Sequence, residues 1–111
     1  MEIRIKQEAN ATVVSVTGIL DAVTSPEFSG KLNELISGGV IALVVDLDGL
    51  DYISSAGLRV LLITAKQIKA KAGQLRCANV KGPVKEIFDI SGFGTIFKTD
   101  DSVAAALAKL V

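Results

Sequence analysis

The 111 residues suffice for one domain with a single core, and with 50% of them apolar, only 5% aromatic and no tryptophan, that core is expected to consist of Val, Ile, Leu and Ala. Twelve basic and twelve acidic side chains cancel, which argues against nucleic acid or an anionic membrane as the main partner. With no histidine and the single Cys77, histidine-dependent acid–base chemistry, the common zinc sites and an internal disulfide are excluded, and no motif calls for a cofactor.

In chain order, Ile3 and Ile5 alternate with charged neighbours, and Val14 and Val16 alternate with Ser and Thr, so the chain opens as two strands joined by a turn near Asn10. The stretch MEIRIKQE has no apolar signal core, and no segment reaches the roughly 20 apolar residues of a membrane span. A soluble protein of the cytoplasm is expected, in keeping with the lone cysteine. After Gly18, Thr24 or Ser25 can cap a helix, with Pro26 in its first turn, Glu27 suited to its dipole, and Phe28, Leu32, Leu35 and Ile36 on one face. Gly38 and Gly39 end it. Residues 40–47, VIALVVDL, read as a strand buried on both faces. A second helix is expected over residues 56–72, with Leu58, Leu61, Leu62, Ala65 and Ile68 on one stripe and Gly73 closing it. QLRCANV then reads as a strand with Cys77 in the core, and GPVKEIFDISGFG as a third helix carrying Val84, Ile87 and Phe88. TIFKT suggests an edge strand, and Asp100 or Asp101 can cap a last helix.

The order β-β-α-β-α-β-α-β-α predicts an α/β fold over residues 1–111: an open mixed sheet with an N-terminal hairpin, parallel crossovers and helices packed on the sheet. No repeat or linker divides it. In such units the segments 20–24, 48–55 and 79–82 leave the sheet at one carboxyl-end edge, where open α/β sheets carry their ligands. Asp21 and the pair Ser54-Ser55 are therefore expected to be neighbours.

The serine pair admits two readings. One serine can be an N-cap, worth about 1 kcal/mol. A phosphoryl group here would equally sit over the free amides and positive dipole end of the helix, adding about two negative charges to an edge holding Asp21, Asp48 and Asp51. A nucleophilic serine lacks its histidine, and the G-x-S-x-G elbow is absent, so an enzyme is not expected. Asp46, Asp48 and Asp51 lack the remainder of a calcium loop; Asp46 lies inside the apolar strand, and the other two are expected to shape the turn around Gly49. The glycines of ISGFGT are a helix stop, and Lys66, Lys69, Lys71, Lys81 and Lys85 a solvated face. Val60 and Ile63 widen the apolar face of the second helix near Ser55, which suits partner docking if they are exposed.

Three blocks also resemble the STAS-domain anti-sigma factor antagonists of bacteria: GILD at 18–21, VVDLDGLDYISSAGL at 44–58 and VKEIFDISGFGTIF at 84–97. The middle block is the most specific. The resemblance implies a STAS-like fold and a single STAS domain over residues 1–111. It places the phosphorylated serine at Ser55, followed by Ala56 and Gly57; Ser54 stands where many members carry aspartate. Asp21 matches an acidic residue of the family's docking surface, giving a candidate partner-binding set of Asp21, Ser54, Ser55, Ala56, Gly57, Leu58 and Val60. The implied cycle is partner switching in transcription regulation. The unmodified protein binds an anti-sigma factor, a serine kinase with a histidine-kinase-like ATP fold, and frees a sigma factor. Phosphorylation switches binding off, and a PPM-type serine phosphatase restores it. A STAS subunit of a stress-signalling or lipid-transport complex is the alternative.

Overall fold

The computed structural model describes residues 1–110. The hairpin forms as the alternation predicts: β1 (Glu2–Gln7) runs antiparallel to β2 (Thr12–Leu20), with Ile3 opposite Val16 and Ile5 opposite Val14. On the other side of β2 lie β3 (Ala42–Asp46), β5 (Gln74–Ala78) and β6 (Lys98–Asp100), all parallel, giving the order β1-β2-β3-β5-β6. The helical connections α1 (Ser25–Ser37), α2 (Ser55–Ala70) and α3 (Gly82–Ser91) make those parallel neighbours possible. A last helix, α5, spans Val103–Ala108.

Alternation of side chains across the sheet divides the interior into two unequal parts. Val14, Val16, Leu43, Val45 and Cys77 face α1, α2 and α3, where Phe28, Leu32, Leu61, Ile68, Val84 and Phe88 complete the larger core. Val13, Val44 and Ala78 point the other way and are covered by Ala106, Val103, Leu107 and Leu110. The run Leu43, Val44 and Val45 is thus buried on both faces, as its composition requires. Desolvation pushes the Cys77 thiol up to about 12, so it behaves as a small apolar residue.

Two elements escape the sequence pattern. Leu50–Ile53 forms a separate strand, β4, which pairs in parallel with the far end of β2. Phe93–Ile96 makes a helical turn, α4, so only Lys98–Asp100 of the expected edge strand is extended. Phe93 is drawn inward by Phe88 and Phe97, with ring centroids 5.5 to 6.5 Å apart.

The helix ends also differ from expectation. Asp100 does not cap α5: Ser102 does, accepting from Ala105 N–H, while the Asp100 carboxylate is buried against Arg76. Arg76 donates through Nε at 2.7 Å and Nη2 at 3.2 Å, and Lys109 adds a contact at 2.9 Å. At the end of α2 it is Ala72, with φ of 60°, that turns left-handed. Gly73 is needed for another reason: a Cβ there would collide with the Ile41 carbonyl, which accepts from Gln74 N–H at 2.8 Å.

The Arg76–Asp100 pair yields a test. Arg76→Leu leaves a buried carboxylate with a single partner and is expected to cost about 3 kcal/mol in denaturant unfolding near neutral pH. The Arg76 guanidinium holds the Asp100 carboxyl below its usual range, so its contribution is present above the unfolded pKa and lost as pH falls. The difference between variant and parent should therefore shrink below about pH 4. A difference unchanged at acid pH would show that packing, not charge, is responsible.

Candidate functional site

The site is built by the pairing of two strand ends. Leu20 is opposite Ile53 in the β2–β4 ladder, and Ser54 N–H continues it with a bond of 2.9 Å to the Leu20 carbonyl. The next residue on each strand therefore emerges at the same place, Asp21 on one and Ser54 on the other. A register shift at Gly18–Ile19 lets β2 follow β4, and Gly18 adopts a φ of 87° that favours glycine there. Gly18 N–H bonds the Gly49 carbonyl at 2.9 Å, which fixes the turn between β3 and β4 against β2.

Asp21 organises the loop that follows. Its Oδ1 accepts from Val23 N–H at 2.9 Å and from Thr24 N–H at 3.1 Å. The Thr24 hydroxyl accepts from Asp21 N–H and lies 2.9 Å from the Ile19 carbonyl, to which it donates. Thr24 therefore stands at the N-cap of α1 without making a side-chain cap; its hydroxyl ties the loop back to β2 instead. The bond from Thr24 N–H is the main cause holding the Asp21 carboxyl below the usual range.

Structurally the two serines are not equivalent. Ser54 has the extended backbone of an N-cap residue, but its hydroxyl caps nothing: Oγ is buried and makes no hydrogen bond within the protein. Its backbone is held by the ladder to Leu20, which fixes the direction of Cβ. Ser55 opens α2 and is exposed. Helix geometry leaves the N–H groups of Ser55, Ala56 and Gly57 without intrahelical acceptors, and no side chain caps them.

Asp21, Ala22, Val23, Tyr52, Ser54, Ser55 and Ala56 line one open depression of about 500 Å³. The expected meeting of Asp21 with the serine pair is thus observed. Gly57 and Leu58 are buried beneath it and support the surface instead of forming it. A Cβ on Gly57 would lie 2.8 Å from Ile53 Cγ1 and 2.9 Å from Leu20 Cγ, so the first turn of α2 rests directly on both strand ends. Val60 is half-buried against the larger core, and only Ile63 of that pair is exposed. The exposed apolar surface beside the serines comes from elsewhere. Val23 is 86% exposed, and Ile19 and Tyr52, opposite each other in the ladder, are 49% and 46% exposed. Periodicity could not single out Val23, which lies in a turn, or Tyr52, which lies in a strand of 4 residues.

The acidic segment is partly compensated. Asp46 accepts from Ser15 Oγ, Asn79 Nδ2 and Asp48 N–H, and Asp48 pairs with Lys81 at 2.5 Å. Asp51 is exposed and has no ion-pair partner among the described residues. Among those residues no group of three metal-ligating side chains occurs, and no helix is long and apolar enough to cross a membrane.

A family model described as the STAS domain matches residues 2–106. A protein of Bordetella bronchiseptica bearing the name anti-sigma factor antagonist BtrV is 38% identical over 86% of this chain and 83% of its own length. The chain belongs to the STAS-domain anti-sigma factor antagonist family. The anti-sigma-B factor antagonist of Bacillus subtilis is 30% identical over 86% of this STAS chain and 87% of its own. In fold, the crystal structure of an anti-sigma factor antagonist from Mycobacterium paratuberculosis superposes with a TM-score of 0.91, covering 98% of this chain and 92% of the other at 22% identity.

Two substitutions test the geometry of this STAS edge. Ser54→Ala removes a buried hydroxyl without a partner and is expected to leave unfolding stability within about 0.5 kcal/mol of the parent, or raise it; a loss of about 1 kcal/mol would mean that Ser54 caps α2. Gly57→Ala gains helix propensity yet overpacks Leu20 and Ile53, for an expected net loss of about 1–2 kcal/mol. A stabilised Gly57→Ala would show that α2 does not press on the strand ends.

Proposed function

We propose that this STAS domain is an anti-sigma factor antagonist controlled by phosphorylation at Ser55. In the cytoplasm its unmodified form binds an anti-sigma factor that is also a serine kinase with a histidine-kinase-like ATP fold, and a sigma factor is released. Phosphoryl transfer from ATP to the Ser55 hydroxyl ends the association, and a PPM-type phosphatase reverses it. The domain contributes no catalytic group of its own; it is a substrate and a switch.

The observation that carries this reading is the contrast between the two hydroxyls: Ser55 is exposed at the first residue of α2, and Ser54 Oγ is buried. Only the former can be reached by a kinase without opening the fold. The uncapped amides of the helix start and its dipole favour an added anion at this place, so the modified form keeps its fold. The same group adds about two negative charges and three acceptor oxygens beside Asp21 in the shared depression. A partner that docked there on apolar and neutral surface would then face a desolvated dianion, which is unfavourable unless it presents a cation. Val23, Tyr52 and Ile19 supply the apolar part of that docking surface, with Asp21, Ser54, Ser55 and Ala56 around them.

Incubation with a cognate anti-sigma kinase, ATP and magnesium is expected to add a single phosphate by mass spectrometry, abolished by Ser55→Ala and retained by Ser54→Ala. Phosphate mapped to Ser54 would sink the assignment. Ser55→Asp should weaken binding to the anti-sigma factor by about tenfold or more in calorimetry, and an unchanged affinity would remove the electrostatic account of release.

A further inference from the structure

We propose that β1 pairs with β1 of a second copy of this chain, antiparallel about a two-fold axis at Ile3, giving a reversible dimer in which one sheet runs through both copies. The sheet ends at β1 on one side and at β6 on the other. β6 has 3 residues, and its Asp100 is held by Arg76 and Lys109. β1 has 6 residues, EIRIKQ, with no proline or glycine, and it pairs with β2 without a register shift. Exposed edges are ordinarily protected by shortness, proline, a bulge or charge. Of these β1 has only charge, and its charged residues Glu2, Arg4 and Lys6 are not of one sign.

Backbone geometry decides which residues can meet a newcomer. Glu8 N–H bonds the Ala11 carbonyl at 2.8 Å, which makes Glu8 and Ala11 a hydrogen-bonded pair. Pair types alternate along an antiparallel ladder, so Lys6–Val13, Arg4–Ser15 and Glu2–Thr17 are of the same type, and the N–H and C=O groups of Ile3, Ile5 and Gln7 point away from β2. A second copy must therefore set its own Ile3, Ile5 and Gln7 opposite these. Four such registers overlap three or more residues of β1. With Ile5 opposite Ile5, Arg4 faces Lys6; with Ile3 opposite Ile5, Arg4 faces Arg4; with Ile5 opposite Gln7, Lys6 faces Lys6. Like charges directly opposite are destabilising. With Ile3 opposite Ile3, Glu2 of each copy faces Arg4 of the other, and every charge paired within the ladder finds its opposite.

The two faces of β1 favour this register for different reasons. On one face Arg4 Nε donates to Glu2 Oε1 at 2.8 Å within a single copy. Across the axis the two pairs become four charges of alternating sign. On the other face Ile3 lies opposite Val16 and Ile5 opposite Val14, at the border of the larger core, where Met1 and Ile3 are only partly buried and Ile5 is 43% exposed. Pairing sets Ile3 against Ile3 and Ile5 against Met1, so the borders of two apolar cores meet.

An interface this small gives a transient dimer, and in sedimentation of the full chain the average mass is expected to rise from one chain towards two between about 10 μM and about 1 mM. Glu2→Arg brings like charges together and should weaken association about tenfold or more; adding Arg4→Glu to it restores opposite charges and should bring the affinity back within about threefold of the parent. Cross-linking reads the register. At the axis two Ile3 Cα atoms stand about 5.5 Å apart, within disulfide reach, whereas two Ile5 residues lie about 13 Å apart along the strands. Copper-phenanthroline oxidation should therefore join Ile3→Cys to itself and leave Ile5→Cys monomeric, the reverse of what exposure alone would give; the buried Cys77 is a silent background. A parent that stays monomeric at about 1 mM, a Glu2→Arg variant that associates like the parent, a double variant that does not recover, or cross-linking through Ile5→Cys in place of Ile3→Cys would each overturn the proposal. None of these outcomes depends on phosphorylation of Ser55 or on an anti-sigma factor.

Discussion

The parallel pairing of β4 with the end of β2 is the constraint on which the site depends. Leu20 and Ile53 are both fully buried, lie opposite each other, and carry the first turn of α2 on their side chains. Because Gly57 has no Cβ, that turn can approach closely enough to set Ser55 beside Asp21. Neither residue reaches the other through a long loop. Each follows directly from a strand, so their relative position is as rigid as the sheet.

Much of this arrangement was legible before any coordinates. The alternation around Val14 and Val16, the unbroken run at Leu43–Val45 and the helical stripe from Leu58 to Ile68 report burial directly, and burial is what periodicity measures, whereas Ile5 on the edge strand β1 alternates in the same way and stays exposed. Parallel crossovers then required Asp21 and Ser55 to share an edge. The strand β4 was not legible, since its 4 residues hold only two buried side chains and those stand at its ends. Its existence is dictated by what β2 offers beyond Gly18, a tertiary fact. The same holds for Asp100, whose sequence neighbourhood suits a cap and whose actual partner, Arg76, lies 24 residues away. The candidate partner set was read partly too deep: Gly57 and Leu58 belong to the support, while Ile19, Val23 and Tyr52 form exposed surface.

The unequal serines follow from the same ladder. Continuing β4 by one bond to Leu20 fixes the backbone of Ser54, so its hydroxyl is turned into the protein and the helix start is left without a side-chain cap. A conventional cap would be worth about 1 kcal/mol. Forgoing it leaves the helix start without a side-chain cap at the point where Ser55 is exposed. An aspartate at position 54 would place a carboxylate in that buried setting, with the desolvation that entails. Serine there avoids the charge and keeps the edge less acidic around the hydroxyl of Ser55. The acidic segment before it is likewise moderated, as Asp48 is matched by Lys81 and Asp46 is held by Ser15 and Asn79.

These features bear on how the proposed switch at this edge would operate. Elements that change by ordering or melting have few buried contacts and weak local hydrogen bonding. Here the opposite holds: the turn from Asp21 is closed by side-chain and backbone bonds, and α2 stands on two fully buried residues. On the proposed reading, a phosphate on Ser55 therefore acts where it is added and leaves the domain's conformation in place. On the same reading, the discrimination between the two states would lie in what a partner must desolvate, an apolar rim of Val23, Ile19 and Tyr52 in one case and the same rim with a dianion in the other.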